Sequence, residues 1–197
     1  MRIREFPIEG IVAIEPDIFT DNRGYFFESF SKKKYENDIV LDISFDNNPQ
    51  HGIQSIVNQI TFVQDNESFS KRGTLRGLHW QNAPFQQAKL VRVISGNIID
   101  VAVDLRKNSP TFGKYQAINL TGTNKLQFFI PSGFAHGFLA LEDTIFSYKC
   151  TNYYDKNSEC GIIWNDPTIA IEWPKLDIDY IISDKDKQHK TLLEVFK

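Results

Sequence analysis

Cysteine is scarce: the 197 residues contain two, Cys150 and Cys160. That is too few for a disulfide scaffold and suits a reduced chain. Long apolar runs are absent too; none approaches the ~18 residues needed to span a bilayer. The opening Met1-Arg2-Ile3-Arg4-Glu5-Phe6-Pro7 lacks the apolar core of a signal peptide. Together these set the expectation of a cytoplasmic protein without a membrane partner. Positive charge is not in excess. Lys and Arg number 22 against 25 Asp and Glu, a net charge of −3. Such a chain has no field to hold nucleic acid or an anionic membrane. No Gly-rich phosphate loop of the P-loop or dinucleotide type occurs. No internal repeat, low-complexity tract or linker divides the chain, so one domain over 1–197 is expected.

What is present is a β-rich pattern. Aromatic residues make up 13%, with 16 Phe, and apolar residues 41%. In Ile98-Ile99-Asp100-Val101-Ala102-Val103-Asp104-Leu105, Ile99, Val101, Val103 and Leu105 share one face, and Ile98, Asp100, Ala102 and Asp104 the other. That is a strand's period of two. Lys89 to Ile94 precedes it across Ser95-Gly96-Asn97, which reads as a hairpin. Further strands are expected at Gly24 to Phe30, Ile60 to Asp65, Gly73 to Gln81, Tyr115 to Leu120, Lys125 to Ile130, Gly137 to Leu141, Thr144 to Thr151 and Gly161 to Trp164. Turn residues separate them. Ser31 is placed to cap a short helix, and Lys187 to Phe196 could form another. Many short strands in one domain predict an all-β jelly roll with short peripheral helices. The unpatterned stretch 42–60 reads as an excursion loop.

Three segments have the composition of a site. In Leu75-Arg76-Gly77-Leu78-His79-Trp80-Gln81, strand alternation puts Gly77, His79 and Gln81 on one face and Arg76, Leu78 and Trp80 on the other. A His and a Gln beside a Gly suit a face that a ligand approaches closely. The blander reading of His79 is a hydrogen-bonded interior residue. Lys89 shares its face with Val91 and Val93; burying it is expensive unless its charge is used, and a snorkelling lysine is the alternative. Tyr148 alternates with Lys149, so only one of the two points inward. Metal ligands are too few: His79-Trp80-Gln81 offers one His, and Pro131-Ser132-Gly133-Phe134-Ala135-His136 one more, so no metal is expected. His51 and His189 lie in polar, unpatterned segments and are expected to face solvent.

Taken together, the motifs resemble the dTDP-4-dehydrorhamnose 3,5-epimerase family. The resemblance runs through Asp21-Asn22-Arg23-Gly24-Tyr25-Phe26-Phe27-Glu28-Ser29-Phe30, Phe62-Val63-Gln64-Asp65-Asn66 and Leu75 to Gln81. It continues through Ala88-Lys89-Leu90-Val91-Arg92, Asp100 to Arg106, Ser109 to Gly113, Ile130 to Phe138, Tyr148 to Tyr154, Ile163 to Asp166, Ile171 to Pro174 and Ser183-Asp184-Lys185-Asp186. It implies a cupin double-stranded β-helix without metal or other cofactor, acting on a nucleotide-linked 4-keto-6-deoxy sugar. It also implies a homodimer with exchanged N-terminal strands. By resemblance His79 is the general base, Asp186 the carboxylate orienting it, Tyr148 the general acid, and Lys89 the group near the keto oxygen. Nucleotide-sugar contacts are implied for Arg23, Glu28, Gln64, Asn66, Arg76, His136, Glu159 and Lys185. Phe26 and Tyr153 match aromatics that flank the nucleobase. Arg23, Phe26 and Glu28 would come from the partner subunit. One departure is the stretch 42–60, longer than the family usually carries.

The implied chemistry has a physical basis. A hydrogen beside a ketone becomes acidic when the enolate is stabilised, and a cation in a drying pocket does that. An imidazole with an unperturbed pKa near ~6.5 is available as a base at cytosolic pH. The same constellation would serve a single-carbon epimerase or a 3,4-ketoisomerase, with pocket shape deciding. A non-catalytic nucleotide-sugar-binding cupin is the reading from another class.

Overall fold

The computed structural model describes residues 1–38 and 60–197. Among these residues thirteen strands and three short helices follow one another. The strands are β1 (Arg2–Glu5), β2 (Val12–Glu15), β3 (Phe19–Asp21), β4 (Gly24–Phe26), β5 (Gln64–Ser70), β6 (Leu75–Gln81) and β7 (Lys89–Ser95). They continue with β8 (Asn97–Asp104), β9 (Tyr115–Thr121), β10 (Gln127–Ile130), β11 (Phe134–Ala140), β12 (Thr144–Cys150) and β13 (Glu159–Gly161). The helices are α1 (Lys32–Asp38), α2 (Asp184–Lys187) and α3 (Leu192–Val195). A six-stranded antiparallel sheet runs β1-β2-β10-β7-β12-β5, and a five-stranded one β13-β6-β11-β8-β9. The fold is the expected all-β, cupin-type jelly roll.

The main core lies between the sheets. Ala13, Val91, Val93, Phe128, Ile130 and Phe146 come from one sheet, and Ile98, Ala102, Ile118, Leu120, Phe134, Phe138 and Ala140 from the other. Each buried Val, Ile, Leu or Phe here is worth roughly 1.5–3 kcal/mol, so this layer contributes heavily to stability. The opposite face of β8 carries Val101 and Val103, which pack with Leu78, Ile162, Ile169 and Leu192. Both faces of β8 are therefore buried, the inner one also carrying Asp100 and Asp104. A third cluster covers the outer face of the six-stranded sheet, where Val12, Ile14, Leu90 and Phe129 meet Tyr35.

Several sequence expectations need correction. β7 and β8 do not form a hairpin: β7 pairs with β10 and β12, β8 with β9 and β11. Gly96, at φ +96°, turns the chain from one sheet into the other, and a Cβ there would lie 2.4 Å from Thr144 Oγ1. A continuous C-terminal helix does not form; α2 and α3 are four residues each, separated by a bridge from Lys190 to Ile162. β1 and β2 were not legible as strands. Ser31 does start α1, its carbonyl accepting from the Tyr35 amide at 2.9 Å. Apart from Ile60, the excursion stretch with His51 lies outside the described residues.

Candidate active site

The site opens where the two sheets separate. β6 brings His79, β7 Lys89, β12 Tyr148, and the segment around α2 brings Asp186. All four line one cavity of about 690 Å³, together with Arg76, His136 and Lys185. His79, Lys89 and Tyr148 also line an adjoining cavity of about 350 Å³ with Gln64, Asn66, Tyr154 and Glu159. The three side chains thus form the wall common to both spaces.

Backbone geometry explains the placement. Gly77 adopts φ +124°, and a Cβ there would sit 2.6 Å from the Gly137 Cα and 2.8 Å from the His136 carbonyl oxygen. Only glycine lets β6 and β11 approach this closely. The β6–β11 pairing shifts register between His136 and Phe138. Alternation therefore breaks at Gly77. Arg76, expected on the face of Leu78 and Trp80, lines the same cavity as His79, whereas Leu78 and Trp80 join the outer cluster.

Asp186 is buried at the start of α2, with Ser183 as N-cap. Its Oδ1 lies 2.7 Å from His79 Nε2, and its Oδ2 accepts from the Gly77 amide at 3.3 Å. Burial pushes the Asp186 carboxyl up, but the hydrogen bond from His79, its charge, and the Gly77 amide outweigh this and hold it below the ordinary value. An ionised Asp186 accepts from Nε2–H, which leaves Nδ1 as the basic nitrogen of His79.

The ammonium of Lys89 sits deep in the cavity wall although the residue keeps some accessible surface. Burial lowers its pKa, against the opposing pull of Cys150, Asp100 and Glu159. Tyr148 points inward and packs beside Phe146 at 5.7 Å between ring centroids. Burial raises its pKa, so the phenol keeps its proton at neutral pH. Its neighbour Lys149 turns outward onto Asp65 at 2.6 Å.

The remaining expected contacts divide by place. Arg76 Nε donates to Ser70 Oγ at 3.0 Å. His136 Nε2 lies 3.0 Å from both oxygens of the buried Asp100. Burial lowers the His136 pKa more than Asp100 raises it. Gln64 Nε2 donates to Asn66 Oδ1 at 2.9 Å. Glu159 accepts from Lys185 and, at 2.9 Å, from the Tyr154 hydroxyl. Tyr153 is 64% exposed, and it is Tyr154 that lines the second cavity. Arg23 and Phe26 line a separate shallow cleft on the β3–β4 hairpin, and Glu28 pairs with Lys34 elsewhere.

His189 is the residue whose expected position is wrong. It packs against His79, ring centroids 5.6 Å apart, and its side chain is 14% exposed. Its Nε2 lies 3.4 Å from Asp186 Oδ1. Among the described residues, His79, Asp186 and His189 form the one group with metal-binding chemistry, their donor atoms within 4.8 Å of one another. The 2.7 Å spacing between Nε2 and Oδ1 is that of a hydrogen bond. The arrangement supplies a carboxylate-oriented imidazole, a buried ammonium and a neutral phenol around one cavity. That suits proton transfer beside a carbonyl.

The family model for dTDP-4-dehydrorhamnose 3,5-epimerase matches residues 5–194. The chain belongs to the dTDP-4-dehydrorhamnose 3,5-epimerase family. It is 48% identical over 189 residues to a Methanothermobacter thermautotrophicus protein of that name, covering 95% of this chain and 92% of the relative. The Escherichia coli relative is 43% identical over 198 residues, with 100% and 97% covered. Among solved structures, the family's Legionella pneumophila dTDP-6-deoxy-D-glucose-3,5-epimerase, in complex with dTDP-4-keto-L-rhamnose, aligns with a TM-score of 0.85. It is 43% identical and covers 98% of this chain and 93% of that one.

Proposed function

We propose that this protein inverts C3 and C5 of a dTDP-linked 4-keto-6-deoxy sugar, giving dTDP-4-dehydrorhamnose. The observation that carries the proposal is the shared cavity wall of His79, Lys89 and Tyr148, with His79 held on Asp186 at 2.7 Å. In each inversion His79 Nδ1 removes the proton on the carbon beside the C4 ketone. The C–H electron pair becomes the enolate double bond, and the carbonyl pair moves onto the C4 oxygen. The Lys89 ammonium faces that developing charge. Tyr148 then delivers its phenolic proton to the opposite face of the carbanionic carbon. The enolate collapses to the ketone, and solvent restores both protonation states. Both C3 and C5 flank the ketone, so one base and one acid suffice for two rounds.

The roles of the other residues follow their chemistry. The forked guanidinium of Arg76 and the Lys185 ammonium suit a diphosphate, and His136, Gln64, Asn66 and Glu159 offer hydrogen bonds to sugar or nucleotide. Binding that remote group positions the ring for proton transfer. Arg23, Phe26, Glu28 and Tyr153 complete the nucleotide site, the first three reaching a partner's cavity in a homodimer with exchanged N-terminal strands. A cytoplasmic location fits the absence of any helix, among the described residues, long and apolar enough to cross a membrane.

Two variants test the roles. His79→Asn and Tyr148→Phe are each expected to lose at least ~100-fold in turnover while remaining folded. Tyr148→Phe should still exchange substrate hydrogen for solvent deuterium, because abstraction precedes delivery; His79→Asn should not. Wild-type turnover in either variant would reject its role.

A further inference from the structure

His189 does not line the cavity, yet the fold builds a place for it. Its neighbour Lys190 bridges Ile162, with the Ile163 amide donating to the Lys190 carbonyl at 3.0 Å. Gly161 stands opposite His79 in the β13–β6 register, and a Cβ there would lie 2.3 Å from His189 Nε2. The missing side chain at 161 is the space the imidazole fills. The two imidazoles meet edge to face at 78°. His189 Nε2 is buried and makes no hydrogen bond, 3.4 Å from the same Asp186 oxygen that His79 engages.

We infer that His189 is a positioning residue: its Nε2 lies 3.4 Å from Asp186 Oδ1, so one carboxylate oxygen sits beside two imidazoles, and His189 moderates how strongly Asp186 holds a protonated His79. This rests on the reading of His79 as the base. A lone pair on His189 Nε2 would lie beside an anion and be repelled, so the neutral ring carries its proton there. The groups facing it are His79 from β6 and Asp186 and Lys185 from α2; burial and the charge of His79 keep it neutral further into the acid range than a free imidazole. The N–H dipole stabilises the carboxylate in the resting site. Once His79 has taken a proton, the same dipole weakens the pull of Asp186 on it. Without His189, Asp186 would hold the imidazolium more firmly, and the acid limb of the pH–rate profile would move to higher pH.

The test separates the N–H from the ring. His189→Phe keeps an aromatic ring without the donor, and His189→Gln restores an N–H. The expected result is an acid limb of kcat raised by about 0.5–1 pH unit in His189→Phe, KM little changed, and most of the shift recovered in His189→Gln. A His189→Phe profile superimposable on wild type would overturn the inference, since a purely packing role predicts that outcome. Imidazole 15N spectra give a readout free of turnover: proton on Nε2 of His189 is expected, and proton on Nδ1 would overturn the inference even if Phe perturbs the enzyme. Failure of the wild-type protein to epimerise would instead reject the function proposed above, leaving the 15N result to judge His189.

Discussion

At the scale of single residues, the site trades stability for chemistry, and Lys89 carries most of that conflict. Burial holds its ammonium below the ordinary 10.5. Between the folded value and 10.5 the unfolded chain binds more protons, so stability from this residue rises with pH across that window. Lys89→Met removes the buried charge. The variant is expected to melt above the wild type near neutral pH, with the gap closing as pH approaches 10.5. Its turnover should fall at least ~100-fold, because the buried ammonium beside the enolate is lost. A lower melting temperature with turnover retained would contradict the assignment. The placements of Lys89 and Tyr148 were only half legible in the sequence. Alternation said that one of Tyr148 and Lys149 points inward but not which, and it left Lys89 a choice between snorkelling and function. His189 was not legible at all, because its place depends on the missing side chain of Gly161, which no pattern near 189 announces.

At the scale of elements, β6 decides the site. Read as an ideal strand, it puts Arg76 and His79 on opposite faces, yet both line the cavity. The reason is the positive φ at Gly77, which period-two alternation does not encode. The same limit explains β7 and β8. Their alternation was legible and correct, but the Ser95-Gly96-Asn97 connection looked like a hairpin turn when it is the corner between two sheets. Element existence follows from local pattern; partnership follows from tertiary packing, where Gly96 clears Thr144. Gly77→Ala tests the element directly. A methyl group 2.6 Å from the Gly137 Cα must push β6 from β11, at a cost of about 2 kcal/mol or more. A drop in chemical-denaturation midpoint, with turnover lowered beyond what unfolding explains, is expected, because Gly77 also donates to Asp186. An unchanged midpoint would contradict the close-approach account.

At the scale of the whole molecule, the β3–β4 hairpin forms a two-stranded sheet of its own, tied to the body by Lys125 Nζ donating to the Tyr25 hydroxyl at 2.7 Å. Phe19, Tyr25 and Phe26 are each more than half exposed there, and an apolar edge of this kind usually meets a partner. In the proposed homodimer Phe26 reaches the neighbouring nucleotide site. Phe26→Ala is therefore expected to weaken dTDP binding in calorimetry, and Phe26→Glu to raise the monomer fraction in light scattering. A strictly monomeric wild type would contradict the exchange. The jelly roll was foreseeable from the strand pattern; the joining of Asp186 to His79, Lys89 and Tyr148 was expected only through resemblance, as is the proposed dimer. The account as a whole turns on whether one base and one acid work on both carbons beside the ketone. Incubating the protein with dTDP-4-keto-6-deoxyglucose in heavy water and reading the product by NMR tests this most directly. Deuterium at both C3 and C5 of an inverted sugar is predicted; label at a single carbon, or none, would contradict it.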